Sequence, residues 1–150
     1  MSDFVYKYPR PAFTADTVLL SNNEQGQMSL LLIRRGNEPF KDSWALPGGF
    51  VNEGETSAEA ARRELSEETG IDVPDLSAFT LIGVYDAPGR DPRGWTVSAA
   101  YAVQVSKMLD AAGDDDAAEA KWFPIDALPE LAFDHEKIIS DVVSLLSDCI

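Results

Sequence analysis

Residues 49–71 read GFVNEGETSAEAARRELSEETGI, with six glutamates among them. The stretch carries the signals of a loop followed by one helix. Thr56 and Glu59 stand at capping-box spacing, with Ser57 as a rival cap one residue later. Gly70 is placed for the C-terminal cap, and Pro74 follows soon after. Residues three and four apart on a helix share a face, so Glu64, Glu67 and Glu68 project together, while Ala58, Ala61 and Leu65 form a narrow apolar stripe beside them. The carboxylates are therefore expected at the edge of the core. Like charges at that spacing repel, more strongly when partly buried, and something must offset them. A solvated face partnered by Arg62 and Arg63 is one answer; a hard divalent cation such as Mg²⁺, which takes oxygen ligands, is the other.

Working outward, Ala15 to Ser21 and Met28 to Ile33 are apolar runs of strand length, and the polar link between them predicts a hairpin of buried strands. Arg34 to Gly48, which contains Gly36, Pro39, Phe40, Trp44 and Pro47, reads as an ordered loop. Leu81 to Tyr85 predicts a strand, and Asp86 to Gly94 a polar loop rich in Pro and Gly. From Trp95 to Val105 the odd positions Trp95, Val97, Ala99, Tyr101, Val103 and Val105 alternate with Thr96, Ser98, Ala100, Ala102 and Gln104, which is the period of a half-buried strand. Asp110 to Glu119 reads as a mobile acidic loop, closed by a short strand or turn at Lys121 to Pro124. Asp134 is placed to cap a last helix, in which Ile138, Val142, Leu145 and Ile139, Val143, Leu146 keep helical spacing. Strands, helix, strands, helix predict an α/β (α+β) sandwich with a single domain over residues 1–150.

The composition narrows the function. The 150-residue chain is 45% hydrophobic, and no apolar run approaches the ~20 residues that span a bilayer, so no membrane partner is expected. The start MSDFVYKYPRPAF lacks the pattern of a secretory signal, which makes the cytoplasm the expected location. The single Cys149 excludes an intrachain disulfide and a cysteine zinc site. A formal charge of −14 speaks against nucleic acid as a partner. A small anion still binds where a cation or a few arginines reverse the local sign.

Gly49, then Glu55, then Arg63-Glu64-Leu65-Ser66-Glu67-Glu68-Thr69-Gly70-Ile71 stand in the register of the box that defines the Nudix hydrolases. Leu46-Pro47-Gly48-Gly49 before it and Glu119-Ala120-Lys121-Trp122-Phe123-Pro124 after it also resemble family features. The resemblance implies an α/β/α sandwich with a mixed β-sheet and a box that binds Mg²⁺ or Mn²⁺. It further implies cleavage of a nucleoside diphosphate linked to another group. Carried over, Glu64, Glu67 and Glu68 are the metal-binding carboxylates, with the carbonyl of Gly49 a further ligand. Glu55 and Arg63 brace the loop against the helix, and Arg63 orients a glutamate. For the catalytic base, Glu64 and the acidic loop with Asp114, Asp115, Asp116 and Glu119 both stand as candidates.

Residues 83–98, GVYDAPGRDPRGWTVS, and residues 131–139, LAFDHEKII, resemble segments of ADP-ribose pyrophosphatases and of related domains that sense ADP-ribose. That resemblance implies hydrolysis of ADP-ribose to AMP and ribose 5-phosphate. Arg90 and Arg93 are expected to grip phosphate or ribose with their fixed donor forks. Phe40, Trp44, Tyr85 and Trp95 are candidates to stack on adenine, with core packing the plainer role for each. His135, the one histidine, reads as a surface or capping residue or as a ligand contact. The rival readings are a hydrolase of oxidised nucleoside triphosphates or dinucleoside polyphosphates, and a sensor that binds ADP-ribose uncleaved. Sensors of that kind join the domain to a basic DNA-binding module, of which these residues show none. A homodimer is a further expectation from the resemblance.

Overall fold

The computed structural model describes residues 4–113 and 117–148. In chain order it forms β1 (Ala12–Asn22), β2 (Met28–Arg35), β3 (Trp44–Ala45), β4 (Gly48–Phe50), α1 (Ser57–Thr69), a 3-10 turn (Leu76–Ala78), β5 (Thr80–Tyr85), β6 (Thr96–Gln104), β7 (Ala117–Pro124) and α2 (His135–Asp148). β1 and β2 make the expected hairpin, and the side chain of Asn23 shapes its turn by accepting the backbone N–H groups of Gln25 and Gln27.

Seven strands form one mixed sheet in the order β3-β2-β1-β6-β5, with β4 added to β1 and β7 to β2. β1 is its centre. It runs parallel to β6 along nine residue pairs and antiparallel to both β2 and β4. The period of two in the strands divides their side chains between two cores. Ala15, Leu19, Leu31, Ala99, Tyr101 and Val103 pack with Ala60, Ala61 and Leu65 of α1. Val18, Leu20, Leu30, Leu32 and Ala100 pack with Ile138, Ile139 and Val142 of α2. The result is a helix, sheet, helix sandwich.

α1 starts and stops where its local chemistry directs. Thr56 and Glu59 form a reciprocal capping box, and Gly70 ends the helix in the left-handed conformation with φ 77°. Glu68 is buried beside Leu65, while Glu67 faces outward.

Four expectations need correction. β6 is buried on both faces, because α2 covers the even-numbered side, where Ser98 and Ala100 are buried. β7 is an eight-residue strand from Ala117, paired antiparallel with β2, so residues 117–119 belong to the sheet instead of a mobile loop. The span Arg34 to Gly48 contains β3, which adds a short edge to β2. Asp134 spends its carboxylate on the Arg90 guanidinium, with oxygens 2.9 and 2.6 Å from Nε and Nη2; its backbone carbonyl accepts the Lys137 and Ile138 N–H groups, and the His135 N–H goes to the Ala132 carbonyl.

Leu65 is fully buried between α1 and β1. Truncation to Ala should cost about 2–5 kcal/mol, read as a lower urea midpoint at unchanged slope. A loss below about 1 kcal/mol would mean that α1 is not docked as described.

Candidate active site

A cavity of about 300 Å³ opens where the first half of β1, β4 and the start of α2 meet. Glu64 and Glu68 of α1 line one side, Arg35, Arg90 and Arg93 lie on others, and Asp16 and His135 are buried in its wall.

Two glycines permit the close packing on the α1 side. A Cβ on Gly48 would stand 2.1 Å from Asp16 Oδ1 and 2.4 Å from the Ala15 carbonyl oxygen. A Cβ on Gly49 would stand 2.6 Å from the carboxyl carbon of Glu64. With hydrogen alone at both positions, β4 slips between β1 and α1, and the Gly48 N–H donates to Glu68 Oε1 at 2.8 Å.

Arg63 collects the other carboxylates. Its Nε and Nη2 donate to the two oxygens of Glu55 at 2.8 and 3.0 Å. Nη1 donates to Glu64 Oε1 at 2.7 Å and to Glu67 Oε2 at 3.2 Å, and Nη2 also reaches the Phe50 carbonyl at 3.0 Å. The hydrogen bonds from Arg63 are the main cause that holds Glu55 below the usual carboxylate range, and Glu55 in turn raises Arg63. The loop from Phe50 to Glu55 is thereby pinned to α1.

The donor set suits a hard divalent cation. Glu64 and Glu68 offer carboxylate oxygens at the cavity wall, and Gly49 lies against Glu64. Among the described residues no three carboxylate, histidine or cysteine groups converge to enclose an ion. Mg²⁺ is commonly held by one or two carboxylates, several waters and the substrate's phosphates, so an incomplete protein shell is the expected form. Glu67, turned to Arg63 and half exposed, does not line the cavity.

The predicted substrate residues divide. Arg93 lines the cavity, pairs with Asp91 at 2.8 Å and lies over the rings of Phe50 and Phe133 at 5.0 and 5.6 Å. Arg90 lines it too, but is nearly buried and bound to Asp134 and Ser98. Tyr85 is placed elsewhere: its hydroxyl donates to Asp141 at 2.7 Å, and it lines a separate hollow with Lys137. Trp95 is exposed outside the cavity, and Phe40 and Trp44 pack against Phe133 and Phe123. Asp114, Asp115 and Asp116 lie outside the described residues, as does Cys149. Glu119 pairs with Arg34 away from the cavity.

Asp16 is the residue that sequence reading missed. Its signal was a carboxylate inside a run otherwise read as a buried strand, where charge is rare without purpose. His135, read as surface or cap, is instead buried: its Nδ1 accepts the Leu46 N–H at 3.0 Å and its Nε2 stands 3.9 Å from Asp16 Oδ2. Burial pushes the Asp16 carboxyl up to about 7, opposed by Arg90 and aided by Asp134 and Glu64. Burial likewise pushes His135 down to about 4, against the pull of Asp134.

Comparison with known proteins bears on the family and the fold. A NUDIX domain model matches residues 12–142. An ADP-ribose pyrophosphatase of Methanocaldococcus jannaschii is 48% identical over 134 residues, covering 89% of this chain and 74% of that protein. The ADPR responsive transcriptional repressor NtrR of Acinetobacter baylyi is 37% identical over 145 residues, covering 94% of this chain and 56% of the repressor. A MutT/nudix family protein from Enterococcus faecalis superposes with a TM-score of 0.88 at 32% identity, over 97% of this chain and 66% of that one. The NUDIX domain of Shewanella oneidensis NrtR complexed with ADP ribose superposes with a TM-score of 0.82 at 29% identity, over 93% and 90%. The chain thus spans less than two thirds of the repressor and of the Enterococcus protein.

Gly49→Ala should drive the Glu64 carboxylate from its place. We expect divalent-metal affinity to fall about tenfold or more while the far-ultraviolet spectrum keeps its native shape. Unchanged metal binding by calorimetry would remove Glu64 and Gly49 from the metal site.

Asp16 also makes a prediction about pH. Its carboxyl rises from 3.8 unfolded to about 7 folded, so the folded state holds an extra proton between those values. The stability this gives is complete below the lower value and is lost as pH rises through the upper one. His135, lowered from 6.5 to about 4, acts oppositely: its contribution is complete above the higher value and is lost as pH falls. Asp16→Asn should therefore gain in Tm relative to wild type between about pH 5 and about pH 8. Parallel Tm curves would return Asp16 to the ordinary carboxylate range.

Proposed function

The chain belongs to the Nudix family, and from that premise we propose that it is a metal-dependent hydrolase that cleaves the pyrophosphate of ADP-ribose to AMP and ribose 5-phosphate. The observation that carries the reading is one cavity with two α1 carboxylates on one side and three arginines around it. That arrangement suits a pyrophosphate, which needs cations on its oxygens and a water aligned for attack. The 48% identity with an ADP-ribose pyrophosphatase supports the substrate.

When bound, a divalent ion supplies neutralising charge at the phosphoryl oxygens and a more acidic water. In this reading Glu64, Glu67 and Glu68, with the Gly49 carbonyl, would hold Mg²⁺ or Mn²⁺. Glu67, which pairs with Arg63 here, would join them as a ligand only on release from that pair. Arg63 holds Glu64 in place from behind, and the Gly48 N–H does the same for Glu68. Glu64 is the candidate to take the proton of the attacking water. Arg93, fixed by Asp91 and by the faces of Phe50 and Phe133, is placed to meet a phosphate or ribose at the cavity mouth. Attack on either phosphorus places the water oxygen on one phosphate and gives the same two products.

The proposal extends to a cytoplasmic setting and to a homodimer. Among the described residues no helix is long and apolar enough to cross a membrane. The exposed Leu81 and Val84 of β5, at an edge of the sheet, are one apolar surface open to a second copy.

The kinship with an ADP-ribose-responsive repressor supports a second reading, in which the cavity holds ADP-ribose uncleaved. Ion-exchange analysis after incubation with ADP-ribose, with Mg²⁺ or with excess chelator, separates the two. AMP and ribose 5-phosphate in the metal tube alone support the hydrolase; tight binding without products supports the sensor. Glu68→Gln should keep a native Tm within a few degrees and lose about 100-fold or more in kcat, because it removes charge from a metal ligand. Turnover near wild type at saturating Mg²⁺ would sink the role of Glu68.

A further inference from the structure

Asp16 and His135 stand in the cavity wall without a task in the metal chemistry. The Asp16 side chain is 9% exposed and the His135 side chain 6%. His135 Nε2 stands 3.9 Å from Asp16 Oδ2, beyond hydrogen-bonding distance. A carboxylate so enclosed is costly unless a polar group answers it.

The tautomer of His135 follows from its other nitrogen. Nδ1 accepts the Leu46 N–H, so in the neutral ring the proton sits on Nε2, which therefore presents a donor beside an acceptor on Asp16. A donor and an acceptor 3.9 Å apart suit one hydroxyl, which accepts from Nε2–H and donates to the carboxyl oxygen. A phosphate oxygen lacks the proton that an ionised Asp16 requires, whereas a hydroxyl serves the carboxyl whether it is ionised or neutral. Two arginines act on Asp16: the Arg90 fork is engaged by Asp134 and its Nη1 by Ser98, and the Arg35 Nε donates to the Pro39 carbonyl. The register between β1 and β6 sets Ser98 beside Thr14, and their side-chain hydroxyls bond each other, so these two hydroxyls already have partners.

We propose that Asp16 and His135 form a hydroxyl-binding subsite that takes the sugar on the far phosphate and favours nucleoside diphosphate sugars over nucleoside di- and triphosphates. The inference rests on the ADP-ribose reading of the same cavity and names the residues that select the second sugar. They are specificity residues; neither touches the bond that is cut.

The test compares wild type, Asp16→Asn and His135→Asn in steady-state hydrolysis of ADP-ribose with Mg²⁺, and in inhibition by ADP, which keeps the adenosine diphosphate and lacks the second sugar. The amide at residue 135 still offers an oxygen to the Leu46 N–H while losing the Nε2–H donor. Each variant should raise the KM for ADP-ribose about tenfold, the loss expected for one buried hydrogen bond, with kcat within about threefold and the inhibition constant of ADP within about twofold. Equal weakening towards ADP-ribose and ADP would make the pair structural and overturn the proposal, as would an unchanged KM in both variants. If wild type turns over no ADP-ribose, the hydrolase reading fails separately. Thermal shift then decides the subsite: greater stabilisation by ADP-ribose than by ADP, abolished in Asp16→Asn, upholds it, and equal stabilisation by both ligands overturns it.

Discussion

Everything at the site depends on holding like charges together at the edge of a core. Glu55, Glu64 and Glu67 would repel one another and loosen both the loop and the helix that carry them. One guanidinium, that of Arg63, answers all three and also takes the Phe50 carbonyl. A lysine would not serve, because a single ammonium lacks the planar fork that spans a bidentate carboxylate and two further acceptors. Exposed ion pairs contribute little to stability. This one is half enclosed, and its main effect is to fix geometry: Glu64 is set against Gly49 while the loop is drawn onto α1.

That constraint passes to the sheet through β4. The two glycines let a three-residue strand lie against β1 on one edge and under Glu64 and Glu68 on the other. β1 then carries the site's geometry to its far side. The same strand places Ala15 and Leu19 under α1 and Val18 and Leu20 under α2, and Asp16 follows the second set into the cavity wall. Packing and chemistry share one backbone, so a shift in either core moves a carboxylate.

What was legible in the sequence was local. The capping box at Thr56 and Glu59, the left-handed Gly70 and the helical spacing of the glutamates all act within a few residues, and the helix formed where they indicate. The order of strands and helices was legible because each element writes its own period. What was not legible depends on partners far along the chain. β6 reads as half-buried until α2 covers its second face, and β7 begins early because Arg35 pairs with Ala117. Tyr85 reads as a stacking ring until Asp141, 56 residues away, captures its hydroxyl. His135 is turned inward by a backbone N–H 89 residues distant, an interaction that leaves no mark in the local sequence.

The cavity is divided in kind as well as in place. On the α1 side Glu64 and Glu68 line the cavity with carboxylate oxygens; on the α2 side a carboxyl and an imidazole are buried deeply enough that burial drives both towards their neutral forms. A ligand with a uniform charge would satisfy one side and not the other. A nucleoside diphosphate joined to a sugar carries both kinds of group, anionic phosphates in the middle and neutral hydroxyls at the end. In the proposed reading the −14 charge of the chain does not oppose an anionic substrate, because the local sign of the site is set by a cation beside Glu64 and Glu68 and by the arginines around the cavity.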